Sequence, residues 1–245
     1  MAHTSGTVAV ACFRDTLARF ASGYAIVAVD VVRAMTTAVT AVALGRRCFP
    51  EPTVAASLAR AARLERPLLA GEVGGNTPEG FEMGNSPAAL ARRTDVERPM
   101  VLVSSSGTPL LDQARGGGRV YLGCLRNARH LGRWLAGRHH RIAVIGAASR
   151  QEFREEDQLC CAQIAAELLE AGYVSEDRRT ARVIRRWRGA PPDAWLGSKS
   201  AAYLRRTGQS DDLDFILRHV DDLREIFMLH SGEVVALSAA AGGAA

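Results

Sequence analysis

The sequence predicts an α/β protein with a layered α/β/α arrangement and a largely parallel sheet. Two observations predict this class: short continuous apolar runs alternate with helical patterns, and polar groups follow the runs where each one ends. In open α/β sheets ligands bind beyond the carboxyl ends of the strands, so the second observation also predicts the position of the site. We expect one domain over residues 1–237, with a division into two intimate subdomains near residue 118 left open, and a disordered tail at 238–245.

Five apolar runs are rich in Val, Ile and Leu and lack a polar alternation, which is typical of parallel strands covered on both faces. They lie at 24–32, 66–71, 100–104, 120–123 and 141–146. Between and after them, apolar residues recur with helical spacing at 36–44, 54–64, 86–91, 128–136, 157–171 and 211–218. The segment at 188–197, "RGAPPDAWLG", is predicted as a surface excursion.

The bulk composition is that of a globular protein, with 245 residues of which 47% are hydrophobic and 23% charged. The net charge of +5 suggests anionic partners, but Lys199 is the only lysine among the 31 basic residues, and this skew resembles a compositional bias. No nucleic-acid-binding motif accompanies the charge, so we expect no nucleic-acid polymer as a partner.

Cysteine usage and hydropathy predict a cytoplasmic protein. The five cysteines form no paired-ligand spacing and fit a reducing compartment better than a disulfide framework or a zinc site. No signal peptide is visible, and the longest apolar stretch, at 24–32, is too short to span a membrane. None of the six histidines falls at a strand end, which argues against phosphohistidine or Ser–His–Asp chemistry.

Asp30 interrupts an otherwise apolar strand, and an isolated buried carboxylate is prohibitively costly. One interpretation is an internal ion pair with Arg33. The other is a magnesium ligand or catalytic carboxylate, with Arg33 holding a phosphate through its planar guanidinium.

Two further strand ends carry polar groups. Glu72 opens a long loop, "EVGGNTPEG", and the next strand ends in "SSSGT" at 104–108, a small polar segment that suits backbone contacts to an anion. Acids in a first helical turn favourably oppose the helix dipole, which is one reading of Glu155, Glu156 and Asp157 before the helix at 157–171. Three acids in a row exceed what capping needs, and hard cations prefer such oxygen-rich sites. Cys160 and Cys161 are interpreted as helix-packing residues.

Taken in order, six motifs closely resemble the 2-phosphosulfolactate phosphatase family, from about residue 25 to residue 226. They are "VDVVRAMTTAVTA", "AGEVGGNTPEGFEMGNSP", "VSSSGT", "GCLRNA", "FREEDQLCCA" and "SAAYLRRTGQSDDLDFIL". The resemblance implies a layered α/β/α fold and a magnesium-dependent phosphomonoesterase, which in that family removes phosphate from 2-phosphosulfolactate on a route to coenzyme M. The matching positions are Asp30, Arg33, Thr36, Thr37, Glu72, Gly80, Phe81, Gly84, Asn85, Ser86, Pro87, Gly107, Thr108, Asn127, Glu156, Asp157 and Cys160.

The resemblance also implies roles for these residues. We expect Asp30, Glu72 and Asp157 to converge around one Mg²⁺, with Glu156 as a further ligand or general base; Asp30, Arg33 and Glu156 are the predicted catalytic residues. The predicted phosphate-binding and substrate-binding residues are Arg33, Thr36, Thr37, Asn85, Ser86, Ser104, Ser105, Ser106, Gly107, Thr108 and Asn127. Direct attack by water and a phospho-enzyme route both stay open, as does a homodimer.

Four positions depart from the family pattern: Val73 and Pro109 stand where arginine is usual, Met35 where threonine is usual, and Ser106 where asparagine is usual. We place Val73 and Pro109 in loops at the rim of the site. Their loss of charge predicts a substrate less anionic than 2-phosphosulfolactate, such as a nucleoside or sugar monophosphate, unless Arg126 or Arg150 compensates. A non-catalytic phospho-ligand-binding protein is a further alternative, which the retention of all four acids disfavours.

Overall fold

One mixed sheet of ten strands runs through the part of the chain that the structure describes. This computed structural model describes residues 6–12, 14–20, 22–148 and 152–237, so the predicted tail at 238–245 and Arg150 lie outside it. The strands are β1 (Thr7–Cys12), β2 (Ala25–Val29), β3 (Cys48–Glu51), β4 (Leu68–Gly71), β5 (Met100–Val103), β6 (Val120–Gly123), β7 (Arg141–Gly146), β8 (Val174–Ser175), β9 (Ile226–His230) and β10 (Glu233–Leu237).

Helices cover both faces of this sheet. A short 3-10 helix at Arg14–Phe20 follows β1. The α-helices are α1 (Ala34–Ala43), α2 (Val54–Ala61), α3 (Pro87–Ala91), α4 (Gly107–Ala114), α5 (Ala128–Leu135), α6 (Glu155–Glu170), α7 (Arg178–Trp187), α8 (Lys199–Arg206) and α9 (Ser210–Arg218). No helix among the described residues combines the length and the hydrophobicity that crossing a bilayer requires.

Two blocks of parallel strands make up most of the sheet. In space the strands follow the order β4-β5-β3-β10-β9-β6-β2-β7-β1-β8. Strands β4, β5 and β3 pair in parallel, as do β6, β2, β7, β1 and β8. The antiparallel hairpin β9–β10 joins the blocks, since β10 pairs with β3 and β9 with β6, both antiparallel. It follows from this pairing that the two parallel blocks run in opposite directions.

The central strands are apolar throughout because both of their faces are buried. In β2, Ile26 and Ala28 belong to the core on one face of the sheet, whereas Val27 and Val29 belong to the core on the other. A strand buried on one side only would alternate between polar and apolar residues, and none of the five positions in β2 is exposed. This confirms the predicted α/β class and explains why the continuous apolar runs are strands.

Several predicted elements need correction. The "SSSGT" segment is only partly a loop, because α4 begins at Gly107, and Glu155 and Glu156 form the first turn of α6 instead of preceding it. The segment 188–197 is largely exposed as predicted, but Trp195 is fully buried. Cys160 and Cys161 pack in the core as predicted. The hairpin β9–β10 was not predicted, and neither were β1, β3 and β8; strand β10 is only partly buried.

Helix α1 connects the two oppositely directed blocks. It starts just after β2. It packs against strand β10 of the hairpin and against α3, β3 and β5, which lie on the β4–β5–β3 side of the hairpin. The loops after β2, β4, β5 and β7 therefore come together although β4 and β5 run against β2 and β7. The predicted gathering of strand ends occurs, but through this crossing helix and not along the single edge of a fully parallel sheet.

Candidate active site

A cavity of about 770 Å³ lies where the loops after β2, β4, β5 and β7 meet the first turn of α6 and one face of α8. That volume is in the range usual for small-molecule sites. Seven of the predicted site residues line it: Asp30, Arg33, Glu72, Asn85, Ser105, Ser106 and Asp157.

Asp30 lies directly beyond β2 and is buried, with 6% of its surface exposed. Its Oδ1 accepts a hydrogen bond from the backbone N–H of Ala34 at 3.2 Å, which helps to start α1. Burial raises the pKa of Asp30 to about 7, and the charges of Glu72 and Glu156 add to this effect, while Ala34 and Arg33 oppose it. The carboxylate is thus held where its own charge is unfavourable.

Asp157 faces the cavity from the first turn of α6. Its Oδ1 accepts a hydrogen bond from the N–H of Val31 at 2.8 Å, which ties α6 to the end of β2. Burial raises the pKa of Asp157, and so do the neighbouring charges of Asp30 and Glu156. Three carboxyl groups therefore share one buried region and destabilise one another's charged forms.

Glu156 is the most buried of the three, with 1% exposure, and it is not among the residues that line the cavity. One of its carboxylate oxygens has no hydrogen-bond partner within the described part of the chain. Burial raises the pKa of Glu156, whereas hydrogen bonds with Ser200 and Ser198 lower it. Its predicted role as a ligand or general base stays a prediction.

Glu72 already holds a full set of partners. Its two oxygens accept hydrogen bonds from the N–H of Gly75 at 2.7 Å, the N–H of Ser105 at 2.8 Å and Oγ of Ser105 at 2.9 Å. Ser105 Oγ in turn accepts from the N–H of Gly74 at 2.8 Å. Glu72 thus joins the glycine-rich loop after β4 to the loop after β5.

The predicted three-carboxylate magnesium site is not assembled as a group. Within the described ranges, no set of three or more His, Cys, Asp or Glu side chains is arranged to hold one ion. Mg²⁺ often binds proteins through only one or two carboxylates together with water and substrate phosphate. Asp30 and Asp157 fit that smaller donor set, because both line the cavity and the charge of Asp30 raises the pKa of Asp157, an unfavourable effect that a cation would relieve.

Arg33 lines the cavity but is not a free cation. Its Nη1 donates to Oδ2 of Asp212 and to Oε1 of Gln209, and only 6% of its side chain is exposed. An ion pair exists here, as the alternative interpretation of Asp30 predicted, but its acid is Asp212 on α9 and not Asp30. Arg33 still lowers the pKa of Asp30, so it lies close to both acids.

The segment 104–108 uses several of its own polar groups. The Ser104 N–H donates to Oγ1 of Thr108 at 2.9 Å, and the Thr108 N–H donates to Oγ of Ser104 at 3.0 Å. With the Ser105 N–H on Glu72, three of the amides predicted for phosphate are occupied. Ser106, which precedes α4 without a side-chain cap, lines the cavity and is the best placed of this segment to contact an anion.

Four other predicted substrate residues do not line the cavity. Thr36 donates to the carbonyl of Val31, Ser86 caps α3, and Asn127 bonds the Cys124 N–H and the Leu122 carbonyl within its own turn. Thr37 is fully buried, and its hydroxyl has no hydrogen-bond partner. Asn85 does line the cavity, is 2% exposed and has an unpartnered Oδ1.

The structure adds residues that the strand-end argument did not reach. Arg154 lines the cavity beside Glu152, to which its Nη1 donates at 3.1 Å, and its buried Nε has no partner among the residues that the structure describes. Helix α8 contributes Lys199, Tyr203 and Arg206. The only sequence signal for the α8 group was the late motif beginning "SAAYLRR", whose residues had no assigned role.

Comparisons with known proteins agree with the sequence motifs. The model of the family described as 2-phosphosulpholactate phosphatase matches residues 14–229. A protein of Deinococcus radiodurans named probable 2-phosphosulfolactate phosphatase is 35% identical over 192 residues, which cover 76% of this chain and 80% of that protein. One of Symbiobacterium thermophilum with the same name is 30% identical over 228 residues, covering 88% of this chain and 95% of its own length.

Proposed function

The chain belongs to the 2-phosphosulpholactate phosphatase family, and from this premise we propose that it is a Mg²⁺-dependent hydrolase of a small anionic phosphomonoester. The observation that carries the proposal is the charge of the cavity. Among the described residues, four basic side chains line it (Arg33, Arg154, Lys199 and Arg206), and so do four acidic ones (Asp30, Glu72, Glu152 and Asp157).

A phosphate dianion is poorly held by a cavity in which the basic and acidic groups balance. Two of the acids, Asp30 and Asp157, are buried, and their charges are weakly screened there. Asp30 and Asp157 would hold a divalent cation, whose charge would offset both the repulsion between the acids and their repulsion of the substrate. Mere anion binding needs no carboxylates, so the buried acids favour a phosphatase over a non-catalytic phospho-ligand-binding protein.

In this proposal some side chains bind the metal and others bind the phosphate. Asp30 and Asp157 would hold Mg²⁺, which when bound neutralises charge on the phosphoryl and leaving oxygens. Arg33 and Arg154 would bind phosphoryl oxygens through guanidinium N–H groups, and Ser106 would add a contact from the start of α4. The Asn85 Oδ1 would accept a hydrogen bond from a substrate hydroxyl or a bound water.

The expectation of a less anionic substrate rested on Val73 and Pro109. Neither lines the cavity, and Pro109 lies in α4, not in a rim loop. Arg126 does not compensate, since it does not line the cavity, and Arg150 lies outside the described residues. Lys199 and Arg206 supply cations from α8 instead, which favours a substrate that carries an acidic group beyond its phosphate, as the substrate named in the relatives' descriptions does.

A nucleoside or sugar monophosphate is the second candidate, and the size of the cavity favours it. A volume of about 770 Å³ leaves room for a leaving group larger than a three-carbon acid. The two candidates predict different ratios of the specificity constant for 2-phosphosulfolactate to that for a nucleoside monophosphate, both measured in saturating Mg²⁺. A ratio above about 100 in favour of phosphosulfolactate would support the acidic substrate, and a reversed ratio would support the nucleotide.

Phosphate release from a panel of phosphomonoesters, with and without Mg²⁺, tests the proposal as a whole. We expect activity to disappear after exhaustive chelation and to return with Mg²⁺, and also with Mn²⁺, since both prefer oxygen ligands. Full activity after chelation would contradict the metal assignment. Absence of hydrolysis of every ester with Mg²⁺ present would contradict the enzymatic assignment.

A further inference from the structure

Asp212, in the first turn of α9, is the acid on which several parts of the site depend. It is 2% exposed and lies 179 residues from Arg33 in the chain. Its Oδ2 accepts a hydrogen bond from Nη1 of Arg33. Its Oδ1 accepts from Oγ of Ser86 at 2.6 Å and from the N–H of Ala88 at 3.1 Å. One carboxylate therefore fixes both a cavity-lining arginine and the start of α3.

The residues that Asp212 contacts lie in the cavity or next to a residue that lines it. Arg33 lines the cavity itself, and Asn85, directly before Ser86, lines it from the end of the loop after β4. Asp212 also belongs to the segment that follows α8, the helix that forms one wall of the cavity. A single buried charge thus connects this wall with Arg33 and with the loop that carries Asn85.

We propose that Asp212 is a positioning residue for phosphate binding, which acts by fixing the guanidinium of Arg33 and the loop end at Asn85. This inference rests on the proposed function. Arginine has a long side chain with many rotamers and five N–H donors, and Asp212 and Gln209 both engage Nη1. Nε and Nη2 can then donate two parallel hydrogen bonds to a phosphate. Because the Arg33 side chain is already ordered before the substrate binds, binding does not have to offset that loss of side-chain entropy.

Positioning and simple electrostatics predict opposite results for the substitution Asp212→Asn. Removal of a negative charge next to Arg33 makes the site more positive, so electrostatics alone predicts tighter binding of an anion. If Asp212 acts through orientation, the neutral amide holds Arg33 less firmly, and anion binding weakens although the net charge has become more favourable. The sign of the change separates the two effects.

The first experiment measures the binding of inorganic phosphate to the protein in saturating Mg²⁺ by isothermal titration calorimetry. We expect Asp212→Asn to weaken phosphate binding about tenfold, an amount comparable with the loss of a charge-assisted hydrogen bond. Unchanged or tighter binding would overturn the proposal. Asp222→Asn is the matched control, because it breaks the ion pair of Asp222 with Arg126, neither of which lines the cavity, and it should leave phosphate affinity within about twofold.

Ser86→Ala provides a variant that keeps the charge of Asp212 and is less disruptive to folding. It removes the 2.6 Å hydrogen bond to Oδ1, and we expect phosphate affinity to fall roughly threefold, as for the loss of one buried hydrogen bond. Ser86→Ala also removes the cap on the Ala89 N–H, so Ser86→Thr, which keeps the hydroxyl for both bonds, is its control and should bind phosphate as the wild type does. An affinity of Ser86→Ala equal to that of the wild type would overturn the positioning of the loop end at Asn85 by Asp212, and this outcome can be read even if Asp212→Asn does not fold.

The second experiment is a double-mutant cycle with Arg33→Lys, read as kcat/KM for the best phosphomonoester. If Asp212 works through Arg33, the double variant should lose little more activity than Arg33→Lys alone. If the loss of kcat/KM in the double variant equals the product of the losses in the two single variants, Asp212 and Arg33 act independently and the inference is overturned. An inactive wild type would contradict the proposed function instead, and the phosphate-binding experiment would still test the positioning role of Asp212.

Discussion

The carboxylate of Asp30 lies against the backbone of Gly107. A Cβ atom at position 107 would be 2.5 Å from Oδ2 of Asp30 and 2.6 Å from Cβ of Ala34. Because Gly107 is the first residue of α4 and Asp30 directly follows β2, this contact joins the two oppositely directed blocks of the sheet at the cavity. Only glycine allows α4 to begin so close to the candidate metal ligand.

Gly107→Ala should therefore damage the site although alanine is the better helix former. Helix propensity alone predicts a gain of about 0.5–1 kcal/mol in the free energy of unfolding. We expect instead no gain in stability and a loss of at least about tenfold in kcat/KM, because the methyl group displaces the Asp30 carboxylate. Gly116→Ala is the control, since a Cβ there meets nothing within 4 Å, and it should retain wild-type kinetics. Wild-type kinetics for Gly107→Ala would mean that the contact is unimportant.

Asp157→Asn should stabilise the metal-free protein and impair its activity. Burial and the charges of Asp30 and Glu156 raise the pKa of Asp157, so its ionised form opposes folding at neutral pH. Asparagine keeps the acceptor for the Val31 N–H and removes the charge. We expect a higher Tm at pH 7–8 without metal, and a weakening of Mn²⁺ binding, measured by calorimetry, of about 10- to 100-fold or more.

The direction of this effect follows from protonation. A raised pKa means that the wild-type carboxyl group stops opposing folding once it is protonated, so the stability gain of Asp157→Asn should shrink as the pH falls toward 4. Glu155→Gln, in the same turn, is the control with the opposite sign. It removes an acid that pairs with Arg186 at 2.8 Å and interacts favourably with the helix dipole. It should slightly lower the Tm and leave the affinity for Mn²⁺ unchanged. A lower Tm for Asp157→Asn would contradict the prediction.

Asp95 lies outside the cavity, and its ion pairs should determine how the free energy of unfolding changes at acid pH. Hydrogen bonds from Arg93 and Arg46 hold the pKa of Asp95 below its ordinary value of 3.8. Arg46 is fully buried, and its Nη2 donates to Asp95 at 2.8 Å. Asp95→Asn should lower the free energy of unfolding at pH 7 by about 2 kcal/mol, since charged hydrogen bonds are lost and Arg46 keeps its charge.

The pH dependence of this contribution has a definite sign. A depressed pKa stabilises the fold fully above the unfolded value near 3.8, and the contribution is lost as the pH falls through the folded value. Urea unfolding from pH 7 to pH 3 should show a constant difference between wild type and Asp95→Asn down to about pH 4, and a shrinking one below it. Asp214→Asn, in an exposed pair with Arg218, should change stability by less than about 0.5 kcal/mol.

The sequence was most informative where a polar residue ends an apolar strand. Asp30 and Glu72 were found this way, because a carboxylate in that position needs a partner and strand ends gather. Asn127 follows β6 with the same pattern, yet its amide is used within its own turn. Asp30 and Glu72 directly follow their strands and Asn127 comes four residues after β6, but all three are polar residues near a strand end, and only the three-dimensional contacts decide whether such a group faces a ligand or closes a turn.

Contacts between distant parts of the chain were beyond the reach of local patterns. Tyr203 on α8 donates a hydrogen bond to the carbonyl of Gly75, across 128 residues, and a Cβ on Gly75 would collide with its hydroxyl. The pairing of Arg33 with Asp212 spans 179 residues. Neither pair has a spacing that a helix or a hairpin would explain, so a single sequence cannot reveal them.

Arg154 was missed for a different reason, and it yields the last prediction. It stands next to three acids, so its sequence context suggests a local ion pair with one of them, but Glu155 pairs with Arg186, and Arg154 pairs with Glu152 at 3.1 Å. Arg154 lines the cavity with 15% of its side chain exposed, and its buried Nε has no hydrogen-bond partner among the described residues. A buried unpaired N–H is costly, and a phosphoryl oxygen would satisfy it.

Arg154→Lys keeps the charge but removes the Nε donor and the planar geometry. We expect kcat/KM to fall by at least about tenfold, which corresponds to about 1.4 kcal/mol, and the affinity for inorganic phosphate to fall with it. Arg186→Lys is the control, because Arg186 is an exposed arginine that pairs with the acid next to Arg154 and does not line the cavity, so phosphate affinity should not change. If Arg154→Lys binds phosphate as tightly as the wild type, the unpartnered Nε is a feature of packing and Arg33 alone holds the phosphate.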